Sequence, residues 1–401
     1  MSELHRRYEL TPVINLSGPL TMYGTSVSSA AVIDAAAEAL RHHWNMDELF
    51  QRAGERIAQW SGAEAGVLTA CSASGITLSV AACMTGPDAG RIGRLPDASG
   101  MPHEVIIQKG HAVNFGAPIE QMIRLAGATA VEVGTVNRTT PVQIETAIGP
   151  DTAAGMFVIS HHTTLYGNVQ LERFIEIFHS RGLPVIIDGA AQDHQIERMV
   201  ASGADLIVLS GQKYLSGPTA GVVCGRKDLI KALYMQNAGI GRTMKVGKEG
   251  IFGTIVAIEE RMNAGVDSWE SEQRSKAERL AGLIGELPGI AISIQKDLVG
   301  QPVYRVLLDV DAERLGLDAA QLATLLKESS PSIKPRDHHT DEGWFLLEPV
   351  HITGDDMQFV ADRLREIATM PESERTSARE RLGAMARSER PAGDAFIQWL
   401  A

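Results

Sequence analysis

Apolar runs and amphipathic segments alternate along the first half of the chain, from about residue 27 to residue 225. The clearest unit has an apolar run at Met156–Ser160, helical periodicity at Leu171–His179 and a second apolar run at Pro184–Ile187. Short apolar runs separated by amphipathic helices are typical of buried parallel strands joined by crossover helices. The pattern therefore predicts an α/β domain with a mostly parallel sheet covered on both faces.

The pattern changes in the last third of the chain. A long charged helix is predicted over Trp269–Ile284, and after it strand patterns at 290–294 and 302–309 alternate with helical patterns at 319–327 and 355–368. Beyond residue 371 the chain is strongly charged until it ends in the apolar segment Phe396–Leu400. We therefore expect a large domain over residues 1–265, a smaller C-terminal α/β domain over 266–370, and a charged tail over 371–401. The tail is predicted to be a solvated helix whose apolar end docks on the body or on a partner subunit.

Two polar residues stand at the ends of apolar runs in the large domain. Asp188 ends the run that begins at Leu183, and Lys213 lies between two strand-like runs, flanked by small residues such as Ser210 and Gly217. Ligands of parallel sheets bind at the carboxyl ends of the strands. A lysine can hold pyridoxal phosphate as a Schiff base, and a carboxylate can keep the pyridine nitrogen of that cofactor protonated. The pair predicts pyridoxal 5'-phosphate as the cofactor; the alternative is a surface lysine and a helix-capping aspartate.

A small-residue turn lies upstream of this pair. The apolar run at 67–69 leads into Ser72, Ala73, Ser74 and Gly75, after which an alanine-rich helix is predicted. The start of a helix offers unpaired N–H groups and a positive dipole end, which together bind phosphate. The turn is therefore a candidate phosphate site, although small residues also serve close helix packing.

Several short segments together carry a family resemblance. They are Val13–Gly18, Ser61–Ala65, Val131–Thr139, Ser210–Lys213 with Gly217–Pro218, and Gly241–Arg242. The chain resembles the selenocysteine-synthase-like family of fold type I pyridoxal phosphate enzymes, which includes L-seryl-tRNA selenium transferase and D-glucosaminate-6-phosphate ammonia lyase. The segment Gln108–Pro118 is more similar to the ammonia-lyase branch. The resemblance implies a fold type I large domain with a mostly parallel sheet and a smaller C-terminal α/β domain.

The resemblance also implies roles for residues around the cofactor. His111 follows a predicted strand at Glu104–Gln108 and would be a catalytic residue whose ring stacks on the cofactor, unless it is a surface turn histidine. The hydroxyl group of Ser210 would reach the cofactor phosphate. Gln192 is a candidate to bind the phenolic oxygen of the cofactor, with a helix-face glutamine as the alternative.

Candidate substrate ligands are arginines and a histidine. Arginine binds both oxygens of a carboxylate, and the resemblance puts Arg336 in this role, with Arg138 and Arg242 as competitors. The alternative for each of them is a structural ion pair within or between subunits. His161 and His162 follow a predicted strand. Because adjacent side chains of an extended chain point in opposite directions, we expect at most one of them to reach the substrate, and His162 is the candidate.

The composition of the chain limits which kinds of partner we expect. The net charge is −12, with 49 acidic and 37 basic residues, and no basic block with interleaved aromatic residues is present, which argues against nucleic acid as a partner. The tRNA-binding N-terminal domain of selenium transferases has no counterpart before Asn15, so selenium transfer is not favoured. The three cysteines lack metal-ligand spacing, and no run reaches the roughly 18 apolar residues of a membrane span, so we expect no metal, no membrane and a cytoplasmic location.

The expected reaction starts at the α carbon of an amino acid or amino sugar acid. Lys213 would act as general base and Asp188 would keep the cofactor an electron acceptor. Loss of a β-hydroxyl group would make the protein an ammonia lyase that yields a keto acid, whereas reprotonation on the other face would make it a racemase or epimerase. A non-catalytic cofactor-binding protein is the remaining alternative. Fold type I enzymes build their sites at a dimer interface, so a homodimer or higher homo-oligomer is expected.

Overall fold

A computed structural model describes residues 2–114 and 116–387 of the chain, with side chains up to Gly383. The predicted apolar end at Phe396–Leu400 lies outside the described residues. The chain divides into two compact units. The larger unit comprises Pro19–Trp269 and Asp297–Pro302, and the smaller unit comprises the described residues of Met1–Gly18, Glu270–Lys296 and Val303–Ala401.

The strands and helices of the described residues follow the alternation seen in the sequence. The strands are β1 (Val13–Leu16), β2 (Ala65–Thr69), β3 (Glu104–Gln108), β4 (Thr129–Val133), β5 (Thr152–Val158), β6 (Val185–Asp188), β7 (Leu206–Ser210), β8 (Gly221–Gly225), β9 (Ile290–Lys296), β10 (Tyr304–Val310), β11 (Ser332–Pro335) and β12 (Trp344–Leu347). The helices are α1 (Glu3–Arg7), α2 (Ala30–Arg41), α3 (Met46–Ser61), α4 (Ser72–Thr85), α5 (Ala89–Arg94), α6 (Ile119–Leu125), α7 (Pro141–Ala147), α8 (Leu171–His179), α9 (Ile196–Ala201), α10 (Lys227–Met235), α11 (Lys248–Ala264), α12 (Val266–Ile284), α13 (Ala312–Leu315), α14 (Ala319–Lys327), α15 (Gly354–Ala368) and α16 (Glu372–Arg387).

The larger unit is built on a seven-stranded sheet in the order β2-β8-β7-β6-β5-β3-β4. Its strands are parallel except β8, which is antiparallel to β2 and β7 because a connection of ten residues, 211–220, returns the chain directly from β7. Apolar clusters cover both faces of this sheet. Strand β6 lies at its centre, and Val185, Ile186 and Ile187 are fully buried. The predicted mostly parallel sheet is confirmed.

Packing of α8 on the sheet shows how the sequence positions a crossover helix. Phe174 and Phe178 lie one turn apart on α8 and are fully buried. A Cβ atom on Gly155 of β5 would come within 2.8 Å of both rings, so glycine at this position allows the helix to approach the sheet. Burying each phenylalanine contributes about 1.5–3 kcal/mol. The strand predicted at Met156–Ser160 is shifted to Thr152–Val158, because the apolar and small residues before Met156 also enter the buried sheet.

The smaller unit contains an antiparallel sheet, β12-β10-β9, and a parallel pair formed by β1 and β11. Because β1 pairs with β11, the N-terminal residues up to Gly18 belong to this unit, whereas the sequence prediction placed residues 1–265 together. The described part of the charged tail forms α16, which buries Ala378 and Leu382 in the core of the same unit. No helix among residues 2–114 and 116–387 is long and apolar enough to cross a bilayer.

Candidate active site

Lys213 lies in the connection between β7 and β8, next to the carboxyl end of β7. The amide of Gly217 donates a hydrogen bond to the carbonyl of Gly211 over 2.8 Å, and the amide of Ser216 donates to the carbonyl of Lys213 over 3.0 Å. Ser216 has a φ angle of +59°, which non-glycine residues rarely adopt. The backbone bonds close this connection into a compact loop, which we call the lysine loop (residues 211–218).

Asp188 ends β6, the central strand, and pairs with both neighbouring strands at Val158 and Val208. Its Oδ1 atom accepts a hydrogen bond from the amide of Ala190 over 3.1 Å. The carbonyl of Ala190 in turn accepts a hydrogen bond from the amide of Ser210 over 3.0 Å. The turn after Asp188 is therefore bonded directly to the strand end that leads into the lysine loop.

The two ionisable groups influence each other inside this enclosed region. Burial raises the pKa of the Asp188 carboxyl, while the charge of Lys213 and the Ala190 amide act in the opposite direction. Burial lowers the pKa of the Lys213 ammonium group, and the charge of Asp188 opposes that shift. Both residues retain some solvent-accessible surface although protein atoms surround their charged ends. The environment favours an amine at Lys213 that is readily deprotonated, which is what a nucleophile or general base requires.

The predicted small-residue turn forms the start of α4. Cys71 is the N-cap residue, and its Sγ atom accepts a hydrogen bond from the amide of Ser74. Ser72 and Ala73 occupy the first turn, where a helix has no internal acceptor for its amides, and both are partly exposed. Gly75 differs, because its amide bonds the carbonyl of Cys71 over 3.0 Å and a Cβ atom there would lie 2.8 Å from Val208. Gly75 thus serves close packing of the helix on the sheet.

His111 and Ser210 are both buried at carboxyl ends of strands. The Nδ1 atom of His111 accepts a hydrogen bond from the amide of Val158 over 3.2 Å, and its ring packs edge-on against Phe157 at 4.4 Å between centroids. Burial lowers the pKa of His111 to about 4, so the imidazole is neutral at physiological pH. Stacking of this ring on a cofactor stays a prediction.

Gln192 is buried in the segment after Asp188. Its Oε1 atom accepts a hydrogen bond from Nε2 of Gln195 over 2.5 Å. The backbone amide of Gln192 donates to the carbonyl of Gly189 over 2.7 Å. The side chain is therefore engaged with the short helical turn Asp193–Gln195 rather than exposed on a helix face. Its predicted contact with the phenolic oxygen of a cofactor is not tested by these bonds.

The candidate arginines lie in different places. Arg138 is exposed in the turn after β4, and Arg242 is exposed in the helical turn Ile240–Met244. The carbonyl of Met244 accepts a hydrogen bond from the amide of Ala70, so the segment of Arg242 lies against the turn that precedes α4. Arg336 belongs to the smaller unit, is buried, and donates a hydrogen bond from Nη1 to the carbonyl of Ser17 over 3.4 Å. Binding of a substrate carboxylate by any of them stays a prediction.

The expectation for His161 and His162 rested on an extended chain and is wrong in that respect. Both residues lie in a turn after β5, and their ring centroids are 3.9 Å apart. Since a turn does not alternate side chains between two faces, the two rings share one side of the chain. Both histidines therefore stay candidates to reach the substrate.

Sequence reasoning missed a buried polar cluster beside the lysine loop. Arg261 of α11 forms an ion pair with Asp193, whose side chain is buried, with 3.0 Å between Nη2 and Oδ2. It also contacts His194 and donates from Nη2 to the carbonyl of Tyr214 over 2.5 Å. Polar residues just after Asp188 were a usable signal for half of this cluster. The sequence holds no signal for Arg261, because this residue is 47 positions away from Tyr214.

Comparisons with known proteins agree with the fold. The family described as L-seryl-tRNA selenium transferase matches residues 13–280 of the chain. A 5'-C-glycyluridine monooxygenase-decarboxylase from Streptomyces sp is 38% identical over 360 residues, which is 89% of this chain and 90% of that protein. D-glucosaminate-6-phosphate ammonia lyase from Salmonella typhimurium (strain 14028s / SGSC 2262) is 35% identical over 365 residues, covering 91% of this chain and 98% of that protein.

A solved structure of D-glucosaminate-6-phosphate ammonia lyase is similar to most of this chain. Its TM-score is 0.83 at 35% sequence identity, and the match covers 92% of this chain and 98% of the other. The predicted resemblance and the fold type I architecture are confirmed. The similarity to ammonia lyases also supports the predicted pyridoxal phosphate-dependent lyase over a non-catalytic protein.

Proposed function

Since this chain belongs to the L-seryl-tRNA selenium transferase family, we propose that it is a pyridoxal phosphate-dependent ammonia lyase for α-amino acids that carry a hydroxyl group on the β carbon. The observation that carries the proposal is the enclosed pair of Lys213 and Asp188 in a chain whose fold matches an ammonia lyase along 92% of its length. The pair supplies an amine and an acid at the carboxyl edge of a parallel sheet.

The residues fit pyridoxal phosphate. Lys213, whose amine is kept readily deprotonated by burial, would form the Schiff base, and Asp188 would hydrogen-bond the ring nitrogen. The first-turn amides at Ser72 and Ala73, which have no acceptor within the helix, would hold the phosphate together with the hydroxyl group of Ser210. His111 and Gln192 would complete the cofactor contacts. When bound, this cofactor withdraws electrons from the α carbon of the substrate and makes its proton acidic.

Lys213 is the group placed to move that proton. Its Nζ atom takes the α proton, and the C–O bond at the β carbon breaks so that the hydroxyl group leaves as water after receiving a proton. Hydrolysis then returns one water and releases ammonia. The net conversion of R–CH(OH)–CH(NH2)–COOH into R–CH2–CO–COOH and NH3 is balanced in atoms and electrons.

Chemistry shared by the relatives' substrates supports a more specific substrate class. Serine, glucosaminate and a glycyl group joined to the 5' carbon of uridine all have an amine on the α carbon and an oxygen on the β carbon. We therefore propose this unit, extended by a polar sugar-derived chain, as the substrate. Arg138, Arg242, Arg336 and His162 are the predicted ligands of its carboxylate and chain.

Two other outcomes at the same α carbon are retained. Return of the proton to the opposite face would make the protein a racemase or epimerase. The relative from Streptomyces favours a second candidate, oxidative decarboxylation, in which R–CH(NH2)–COOH and O2 give R–CO–NH2, CO2 and water. The fate of the α carbon after proton removal separates these reactions.

The test is incubation of the purified protein and pyridoxal phosphate with β-hydroxy α-amino acids, amino sugar acids and plain amino acids of both configurations. Keto acid and ammonia in equal amounts support the lyase. Loss of optical rotation without keto acid supports the racemase, and O2 uptake with CO2 release supports the oxidative reaction. Borohydride should attach the reduced cofactor to the peptide that contains Lys213; attachment at Lys109, Lys245 or Lys248 would overturn the assignment.

We also propose a homodimer in the cytoplasm. Within the larger unit, Met22, Val27, Ile33 and Leu40 each expose more than half of their surface, and the last two lie on α2 seven residues apart, on one face. Large apolar side chains exposed to this extent are often found at protein interfaces. A sedimentation measurement that finds an active monomer would contradict this proposal.

A further inference from the structure

Helix α11 presents one continuous face to the lysine loop. Gly253, Ala257 and Arg261 follow one another at intervals of four residues and therefore lie on the same side of the helix. A Cβ atom on Gly253 would come within 2.4 Å of Pro218, and Gly217 lies against Ala257. The helix thus packs closely on the end of the lysine loop, and Arg261 extends this face by one further turn.

Arg261 joins the lysine loop to the segment that follows Asp188. Its Nη2 atom donates to the carbonyl of Tyr214, the residue directly after Lys213, over 2.5 Å. The same guanidinium lies 3.0 Å from Oδ2 of Asp193 and contacts the ring of His194, whose side chain is fully buried. One side chain therefore contacts both the lysine loop, which contains Lys213, and the segment that follows Asp188.

The guanidinium is held in one orientation. Only 9% of the Arg261 side chain is exposed, and its Cζ atom lies 5.0 Å from the ring centroid of Trp269, which also packs on His194. Asp193 is anchored on its other side, because its Oδ1 atom accepts a hydrogen bond from Nε2 of Gln301 over 2.9 Å. A planar guanidinium can bind a carboxylate, a carbonyl and a ring nitrogen at once, whereas a lysine ammonium cannot match this geometry.

We propose that Arg261 is a positioning residue that fixes Lys213 relative to Asp188 by clamping Tyr214 to Asp193 and His194. The inference rests on the proposed function for its catalytic consequence. The clamp itself is a property of the protein without cofactor, so it is tested separately. Arg261 does not touch the reacting atoms; it acts through the backbone of the lysine loop.

The experiment compares Arg261→Lys with the matched control Arg56→Lys in the full chain, with and without pyridoxal phosphate. Arg56 also pairs with a glutamate of α11, with 3.0 Å between its Nε atom and Oε1 of Glu259, but both side chains are about two-fifths exposed. Hydrogen exchange is measured on peptides that cover the lysine loop. The circular dichroism of the cofactor band, kcat and KM are measured on the loaded protein.

Loss of the clamp should speed exchange of the lysine-loop amides about tenfold or more in Arg261→Lys without cofactor and leave Arg56→Lys unchanged. In the loaded protein, the dichroism of the cofactor band should weaken, and kcat should fall about 100-fold, the cost of a displacement of about 1 Å at a reacting group. KM should change by less than about twofold, because substrate contacts are intact.

Wild-type exchange, dichroism and kcat in folded Arg261→Lys would overturn the inference. A lower melting temperature with those three unchanged would equally overturn it, since Arg261 would then be only structural. If Arg261→Lys does not fold, Asp193→Asn removes the ion pair to the other segment and leaves the contacts of Arg261 with Tyr214 and His194; the exchange, dichroism and kcat should then change in the same direction. A wild-type protein that binds no cofactor would refute the proposed function, while the exchange data still decide the clamp.

Discussion

Two buried pairs of opposite charge, one in each unit, differ in how their charges are compensated. In the smaller unit, Nε of Arg305 and Oε2 of Glu348 are 2.6 Å apart, and both side chains are almost wholly buried. In the larger unit, Asp188 accepts a hydrogen bond from a backbone amide, and its effect on Lys213 is electrostatic. The Arg305–Glu348 contact compensates two buried charges directly and serves the fold, whereas burial lowers the pKa of the Lys213 ammonium group and makes its amine more readily available for chemistry.

The strongest test of this contrast is Lys213→Ala. Removing the proposed base should lower kcat by about 10³–10⁴-fold. The free energy of unfolding should change little, because removal of the buried amine ends its loss of hydration while Asp188 loses the favourable charge of Lys213. Activity assays and thermal unfolding check both parts, with the exposed Lys245→Ala as control. Retained turnover in Lys213→Ala would contradict the catalytic role.

Arg305→Met should affect stability rather than activity. It leaves the Glu348 carboxylate buried without its partner, so the free energy of unfolding should fall by about 3–5 kcal/mol. The double variant with Glu348→Leu should regain most of this loss, since no charge is then buried. Chemical denaturation measures both. Equal stability of the single and double variants would show that the contact does not hold the pair.

In the pair of Lys213 and Asp188, the variant Asp188→Asn separates cofactor binding from turnover. The amide keeps the size of the side chain and Lys213 remains, so cofactor affinity should be nearly unchanged. A neutral amide cannot keep the ring nitrogen protonated, and kcat should fall about 100-fold. Cofactor titration and steady-state kinetics provide the measurement. Near-wild-type turnover would make Asp188 structural.

His111 extends the comparison to a buried group whose pKa shift comes from burial alone. Its pKa falls from 6.5 to about 4 in the folded protein, so the unfolded chain binds more protons between these values. Stability should therefore rise with pH across that window, be complete above about pH 6.5, and be lost toward pH 4. His111→Gln should remove up to about 3 kcal/mol of this dependence. The exposed His43→Gln is the control, and identical pH profiles for wild type and His111→Gln would contradict the shift.

The smallest effect is expected for an exposed pair in the smaller unit. Arg381 binds both carboxylate oxygens of Glu328 at 2.5 and 2.6 Å, but its side chain is 47% exposed. Arg381→Met should cost only about 0.2–1 kcal/mol, less at high salt. A loss as large as that of Arg305→Met would mean that contact geometry, rather than burial, sets the cost.

Elements defined by local periodicity were predicted closely from the sequence. The bounds expected for Glu104–Gln108, Leu171–His179 and Ala319–Lys327 are those of β3, α8 and α14. The strand expected at Pro184 begins one residue later, because proline has no N–H group for the sheet. Periodicity works here since the side chains that decide it are neighbours along one strand or helix.

The candidate site was predicted only in part. Asp188 and Lys213 stand at or just after the ends of apolar runs, so their places at the end of β6 and in the loop after β7 followed from the pattern. The paired rings of His161 and His162 were missed because a turn after β5 replaced the expected extended chain. Arg336 was an expected substrate ligand, and the structure adds that it is buried in the smaller unit and bonded to the carbonyl of Ser17.

The sequence by itself determined the alternation of strands and helices, the position of an amine and an acid at strand ends, and the family to which these residues belong. Tertiary structure alone decided that Lys213 and Asp188 are enclosed together, which shifts both pKa values, and that Arg261 reaches the segments on either side of them. The physical reason is the distance along the sequence over which each property is determined. Periodicity and chain order are local, whereas burial, charge coupling and side-chain contacts depend on residues that folding brings together from distant parts of the chain.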